Sequence, residues 1–388
     1  MNRSFLVKIG VMFFVFFIVL LSGCQPQKEE PVISQDAPKL WSVLKPFSEE
    51  EVTKQRKYIQ TQPGDVFPVS GIQDGFVILT SGSDTLYEEL FMEELLQLAE
   101  VAPVTLLNAG LAVNRSLPFY EVMDLPANCE LVQMQQSDLM KLGFEQDYLN
   151  SVQYFPPVIW LVEEGVIQRQ YLYYAVGQYE DVYSYFVTAE ETPIPVQIGK
   201  PLRDLCLVRS ETQEKEVLEI TKPTLLIHWA IGNFTSQLTT LLDALQDQIQ
   251  VVVVLPTTDA RTRYPIIQQE LALREDADTK IEWYYRDFYE IQINKVLKET
   301  ESLRQSYPDL LIYEDQSYEM VRRFNLVPTI HPMLVEADDR DVRLYNFFLF
   351  DGQGVMIKEW ICRMTLGNKE ETMLMQNILE KAITELTR

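Results

Sequence analysis

The stretch Pro223-Thr-Leu-Leu-Ile-His-Trp-Ala-Ile-Gly-Asn-Phe-Thr-Ser236 decides how this chain is read. Thr224 to Trp229 reads as a buried strand, followed by a turn and a helix start. The helix is predicted from Asn233 to Gln248, with Leu238, Leu241, Leu242 and Leu245 on one face. Val251-Val-Val-Val-Leu255 follows as an all-apolar strand, suited to the middle of a sheet covered on both faces. Strand, helix and strand in this order predict an α/β unit. The chain has 388 residues, 47% of them hydrophobic and 11% aromatic. That is ample for a packed core and predicts two domains. The formal charge of −24 repels nucleic acid and anionic lipid headgroups. The acids lie in short clusters, such as Glu49-Glu50-Glu51 and Asp338-Asp339, as on a solvated surface. With only His228 and His331 as imidazoles, a multi-histidine metal site is excluded, and no metal or other cofactor is expected.

Upstream, Ile198-Gly-Lys-Pro-Leu-Arg-Asp-Leu-Cys-Leu207 resembles the entry of peroxiredoxin-like domains. Together with the opening stretch it resembles a thioredoxin-like domain of the thiol–disulfide oxidoreductase and peroxiredoxin type. Members usually continue such a strand with Trp-Ala-x-x-Cys-x-x-Cys. Here Trp229-Ala230 are present, but Asn233 and Ser236 stand at the two cysteine positions. Tyr307 to Ser317 and a helix to Phe324 resemble the family's later strand and helix. Asn325-Leu-Val-Pro-Thr329 resembles its cis-proline site, at Pro328. Residues 330–344 then intervene before Asn346 to Gly354, a strand and hairpin, with Val355 to Ile361 as edge strand and a last helix from Lys369 to Leu386. A second long insertion, about 256–305, is predicted to hold helices over Tyr264–Arg274 and Glu290–Arg304.

The first half repeats the theme. A capping box at Ser48 and Glu51 opens a helix predicted to run to about Thr61. Phe76 to Leu79 and Val104 to Asn108 read as strands around an amphipathic helix, Asp84 to Leu98. Ser137 to Leu142 reads as a short helix capped by Ser137 or Asp138. Phe155-Pro156-Pro157-Val-Ile-Trp-Leu-Val-Glu-Glu-Gly165 resembles the thioredoxin pattern of a cis-proline, here Pro157, opening a strand that ends in a hairpin. Val166 to Tyr174 is its partner strand and Glu180 to Val187 the last helix. The expected fold is therefore α/β, with two tandem thioredoxin-like domains, each a central mixed sheet flanked by helices. Their predicted limits are 48–190 and 191–388.

Residues 1–23 read as a signal peptide, with Arg3 and Lys8 before an apolar run, Ile9 to Leu21, too short for a comfortable membrane span. Leu21-Ser-Gly-Cys24 resembles a bacterial lipobox, which implies lipidation of Cys24 and anchorage in the cell envelope. The outer membrane, on its periplasmic or surface face, is implied if the cell is Gram-negative. Residues 24–47 read as a polar, proline-containing tether.

Thiol–disulfide exchange needs a thiolate and a second thiol to resolve the mixed disulfide. Asn233 reads as a helix N-cap, and Ser236 has no neighbouring base to activate it. Cys129, Cys206 and Cys362 remain as single thiols. Cys206, alternating with Leu205 and Leu207, reads as a small buried hydrophobe. Cys362 sits near an edge strand, where Arg363 could lower its pKa. Cys129 lies in a loop-like stretch and reads as the most exposed. His228 reads as a core or sheet-edge histidine, and His331 as loop decoration near the Pro328 site. The expected function is binding or assembly of envelope proteins or extended peptides by redox-inactive domains. The alternative is a thiol-dependent oxidoreductase or peroxidase working through Cys362, Cys206 or Cys129.

Overall fold

A computed structural model describes residues 48–52, 59–80, 86–109, 125–144, 157–188, 195–229, 236–258, 261–262, 264–273, 290–326, 342–365 and 368–387. A single helical turn, α1 (Glu49–Val52), begins after Ser48. The predicted continuation to Thr61 does not hold at its end, because Ile59 to Gln62 are already irregular. Ile59 there is fully buried, and its backbone bonds to Asn325 across the molecule instead of to a helix.

The first sheet follows. Strand β1 (Gly75–Thr80), helix α2 (Leu86–Leu95) and strand β2 (Val104–Asn108) form a parallel βαβ unit. Every residue of both strands is buried, as an apolar run covered on both faces requires. Phe76 and Ile78 of β1 pack with Leu95 and Leu98 on one side. Val77 and Leu79 point to the other, toward Leu139 and Trp160, the period-2 alternation of a strand. Gly75 has φ +137°, and a Cβ there would meet the Pro103 carbonyl oxygen at 2.2 Å. Strand β3 (Cys129–Gln133) adds parallel to β2. Helix α3 (Gln136–Lys141) starts one residue earlier than predicted. Its N-cap is Gln135, because Asp138, the third helical residue, turns its carboxylate back to accept from the Gln135 N–H. Strand β4 (Val158–Glu163) pairs antiparallel with β1, and β5 (Val166–Leu172) with β4. The order is β3-β2-β1-β4-β5. Helix α4 (Tyr179–Tyr183), continued by a wider turn to Thr188, covers one face with Val182 and Phe186.

The second sheet begins with a hairpin, β6 (Cys206–Arg209) and β7 (Lys215–Val217). Strand β8 (Thr224–Trp229) occupies the predicted range and is buried throughout. Helix α5 (Ser236–Leu245) buries the four predicted leucines against the sheet. Strand β9 (Gln250–Pro256) is parallel to β8. Helices α6 (Tyr264–Leu273) and α7 (Glu290–Ser306) lie within the predicted insertion. Strand β10 (Leu311–Asp315) is parallel to β9 and carries β6 on its outer edge. Helix α8 (Glu319–Phe324) follows. Strand β11 (Val342–Phe350) begins earlier than predicted, since Val342 to Leu344 already pair with β12 (Met356–Thr365). The intervening segment therefore stops before Val342 and not at 344. Helix α9 (Lys369–Thr387) closes the chain, with Met375, Leu379 and Ile383 in the core with α5.

The order is β12-β11-β8-β9-β10-β6-β7. Without the β6–β7 hairpin, its connectivity is that of the first sheet: three parallel strands, then two antiparallel ones. The fold is thus α/β, with two mixed sheets flanked by helices, both following the thioredoxin-like order. Both sheets fall within one compact unit, Phe47–Arg388. Helix α8 docks on β5 and its extension. Tyr173 meets Tyr318 with ring centroids 3.7 Å apart. The Asn325 side chain donates to the Ile59 carbonyl (2.7 Å) and accepts from its N–H (3.4 Å). Gln178 donates to the Ser317 carbonyl at 3.2 Å.

Candidate functional site

The end of β8 is where the family resemblance would place redox chemistry. Trp229 stacks on Tyr345 at 3.9 Å. His228, on the central strand and not at a sheet edge, is buried, and its Nδ1 lies 3.1 Å from the Asn346 side-chain nitrogen. Burial pulls its pKa down to about 4, so it is a neutral core imidazole. Ala230 to Thr235, with Asn233, lie outside the described residues, as does the side chain of Ser236, the first residue of α5. Pro157 is buried directly before β4, and its carbonyl accepts from the Tyr174 N–H at 3.0 Å. Pro156, Pro328, His331 and Cys24 lie outside the described residues.

Cys129, Cys206 and Cys362 are free and sit on β3, β6 and β12. β3 belongs to one sheet, and β6 and β12 lie toward opposite ends of the other. Three expectations need correction here. Cys129 opens an edge strand instead of a loop and is half-buried. Burial pushes its thiol up to about 11. Cys362 points into the core with Trp229 and Met375. Burial pushes its thiol up rather than Arg363 drawing it down, because successive strand residues face opposite ways. The same rule places Cys206 on the face opposite buried Leu205 and Leu207. It is half-buried there, and it lines a cleft.

That cleft, ≈ 570 Å³, lies where α8 meets β5 and β6. Its charged walls are Asp181, Lys215, Glu319, Arg322 and Arg323. Glu319 accepts from Arg322 Nη2 at 3.2 Å and from Arg323 Nη1 at 3.3 Å. Arg323 also donates to the carbonyls of Asp204 and Arg203. The Arg322 guanidinium lies 4.6 Å from the Tyr171 ring centroid, a cation–π arrangement. Burial opposes its charge, but Tyr171, Glu319 and Asp315 outweigh burial and raise its pKa. Arg322 Nη1 and the Tyr171 hydroxyl are both covered, with no hydrogen-bond partner among the described residues. Burial pushes the Tyr171 phenol up to about 12, so it stays protonated.

Beneath the cleft, Asp315 accepts from the backbone N–H groups of Ser317, Glu319 and Met320 and caps α8. Burial pushes its carboxyl up to about 6. Glu314 beside it goes the other way. Burial would raise its pKa, but Arg261 and Gln213 outweigh that and hold it below the usual range. Ser210, Thr257 and Gln316 complete this buried cluster. Its acceptor capacity is used within the protein, so it reads as a structural hub.

The sequence reading missed Arg322 as a site residue. The available signal was a pair of adjacent arginines between buried Val321 and Phe324 in an acidic chain. On so short a helix, one of the pair must share a face with apolar neighbours. Among the described residues no acid, histidine and cysteine group could hold a metal ion. No helix of the described residues is long and apolar enough to cross a membrane.

No protein-family model and no curated protein matches the chain. Among solved structures, it is similar to a domain of a possible thiol-disulfide isomerase from Cytophaga hutchinsonii, at 14% identity and TM-score 0.26, covering 50% of this chain and 97% of that one. It is similar to a mutant PrxQ from Xylella fastidiosa at 13% identity and TM-score 0.27, over 48% and 97%. A reduced 2-Cys peroxiredoxin from Plasmodium vivax matches at 13% identity and TM-score 0.26, over 49% and 85%. Likeness at this level says nothing of activity.

Proposed function

We propose that this chain is a lipid-anchored cell-envelope protein that binds other proteins or extended peptides and does not carry electrons. The observation that carries the reading is the placement of its thiols. Two of the three are held protonated by burial, and all three sit on strands that do not neighbour one another. Exchange needs an accessible thiolate and a second thiol within bonding distance. Asn233 and Ser236, at the positions of the family's cysteine pair, supply neither. Strand addition to a sheet edge works through main-chain hydrogen bonds and requires no sulfur. The lipobox-like Leu21 to Cys24 supports the anchor.

The test has two parts. Labelling with a fatty-acid probe is expected to mark the intact chain and not a Cys24→Ser variant, which should leave the membrane fraction. Crosslinking in the envelope is expected to join the chain to defined partners, and altering Pro157 or the Pro328 loop is expected to abolish those products. Insulin reduction above the buffer rate would overturn the reading. One observation favours a second reading: Cys206 opens onto the cleft. A thiol-dependent oxidoreductase would act there, and Cys206→Ser would then abolish the activity.

A further inference from the structure

The geometry points to the cleft between α8, β5 and β6 as a binding site for a carboxylate group. Its volume, ≈ 570 Å³, falls in the range of small-ligand sites, about 300–1,000 Å³. In a chain of net charge −24, its walls set Lys215, Arg322 and Arg323 against only Asp181 and Glu319. Arg323 is committed to Glu319 and two backbone carbonyls. Arg322 is not fully committed. One terminal nitrogen serves Glu319, while Nη1 has no acceptor among the described residues. The Tyr171 hydroxyl, on a residue only 3% exposed, is also unmet.

A buried donor left unpaired costs about 1–3 kcal/mol, and more when charged. Of the residues lining the cleft, the two with unmet buried polar atoms can both donate a hydrogen bond. The group that satisfies them is an acceptor, and beside a guanidinium a carboxylate fits best. Both atoms are shielded in the unliganded chain. A carboxylate would reach them only with a shift of the long Arg322 side chain.

A carboxylate reaches this place either from a peptide C-terminus or from a small acid, and the experiment separates the two. The full chain is titrated calorimetrically with acetyl-triglycine, with the same peptide amidated, and with succinate. Saturable binding of acetyl-triglycine or of succinate is expected, with no binding of the amide. Binding of the peptide alone assigns a chain terminus, and binding of succinate alone assigns a small acid. Arg322→Gln is expected to weaken the bound carboxylate about tenfold or more, and Tyr171→Phe about threefold. Tyr171→Phe keeps the ring under the guanidinium, so it reports on the site even if Arg322→Gln does not fold. Failure of both carboxylates to bind, equal binding of the amide, or unchanged affinity in Tyr171→Phe would overturn the assignment. The inference is independent of the scaffold reading, since a small acid in the cleft would uphold the site without any protein partner.

Discussion

The two sheets place different chemistry at one position of the same scaffold. The fifth residue of the central strand is Leu79 in the first sheet and His228 in the second. Each pairs with the antiparallel neighbour: Leu79 with Val158, His228 with Asn346. Each also pairs with the parallel neighbour, Leu79 with Leu107 and His228 with Val254. All of these residues are buried. In the second sheet, His228 Nε2 and Asn346 Oδ1 have no partner among the described residues. The first sheet thus fills the position with hydrocarbon, while the second accepts a partly satisfied polar pair. The second sheet also buries Glu314 with its ion pair. The same connectivity therefore does not fix what its core tolerates: the first sheet buries the neutral Thr80, Thr105 and Asn108, while the second buries an imidazole and a carboxylate.

The comparison can be broken where the sheets agree. Ile78 and Ile227 hold the same position in their central strands and are both fully buried. Ile78→Ala and Ile227→Ala are each expected to cost about 3–4 kcal/mol in denaturant unfolding. Because both sheets share one compact unit, either substitution should shift a single common transition. Two separated transitions, with only one displaced, would show that the sheets unfold independently.

A smaller effect is expected where they differ. Glu314→Ala strands Arg261 and removes the acceptor shared by Ser210, Thr257 and Gln316. Breaking one partner of a buried pair costs about 3–5 kcal/mol. Since the Arg261 side chain is 34% exposed, water relieves part of the loss and about 3 kcal/mol is expected. A loss below about 1 kcal/mol would place this pair with ordinary surface bridges.

The His228 pair predicts a pH effect. Its folded pKa, about 4, lies below the usual 6.5. The unfolded chain therefore takes up the proton first, and stability is lost as pH falls from about 6.5 toward about 4. Between pH 7 and pH 5 the loss is about 2 kcal/mol. Asp315, pushed up to about 6, acts with the opposite sign, so the wild type must be compared with a variant. His228→Leu with Asn346→Val copies the first sheet's pair and should remove this component. Parallel pH profiles for the two proteins would contradict the burial of a neutral imidazole.

Much of this fold was legible because its signals are local. Thr224 to Trp229 and Val104 to Asn108 are apolar runs bounded by turns, and both strands fall where periodicity places them. The helix at 136 was missed by one residue because a glutamine N-cap is a weak signal, and Asp138 does the capping from inside the helix. The cleft was not legible. Tyr171, Lys215 and Arg322 lie far apart in sequence and meet only because α8 docks on β5. Cys206 was misread because a residue between two buried leucines on a strand belongs to the opposite face.

Thiol accessibility in the native full chain tests the scaffold reading most directly. In a Cys24→Ser protein, reaction with DTNB at neutral pH is expected to leave Cys129 and Cys362 untouched until the chain is unfolded. Cys206 should react more slowly than free cysteine, and intact mass should show no internal disulfide under oxidant. A native thiol reacting faster than free cysteine, or an internal disulfide formed reversibly, would contradict the account.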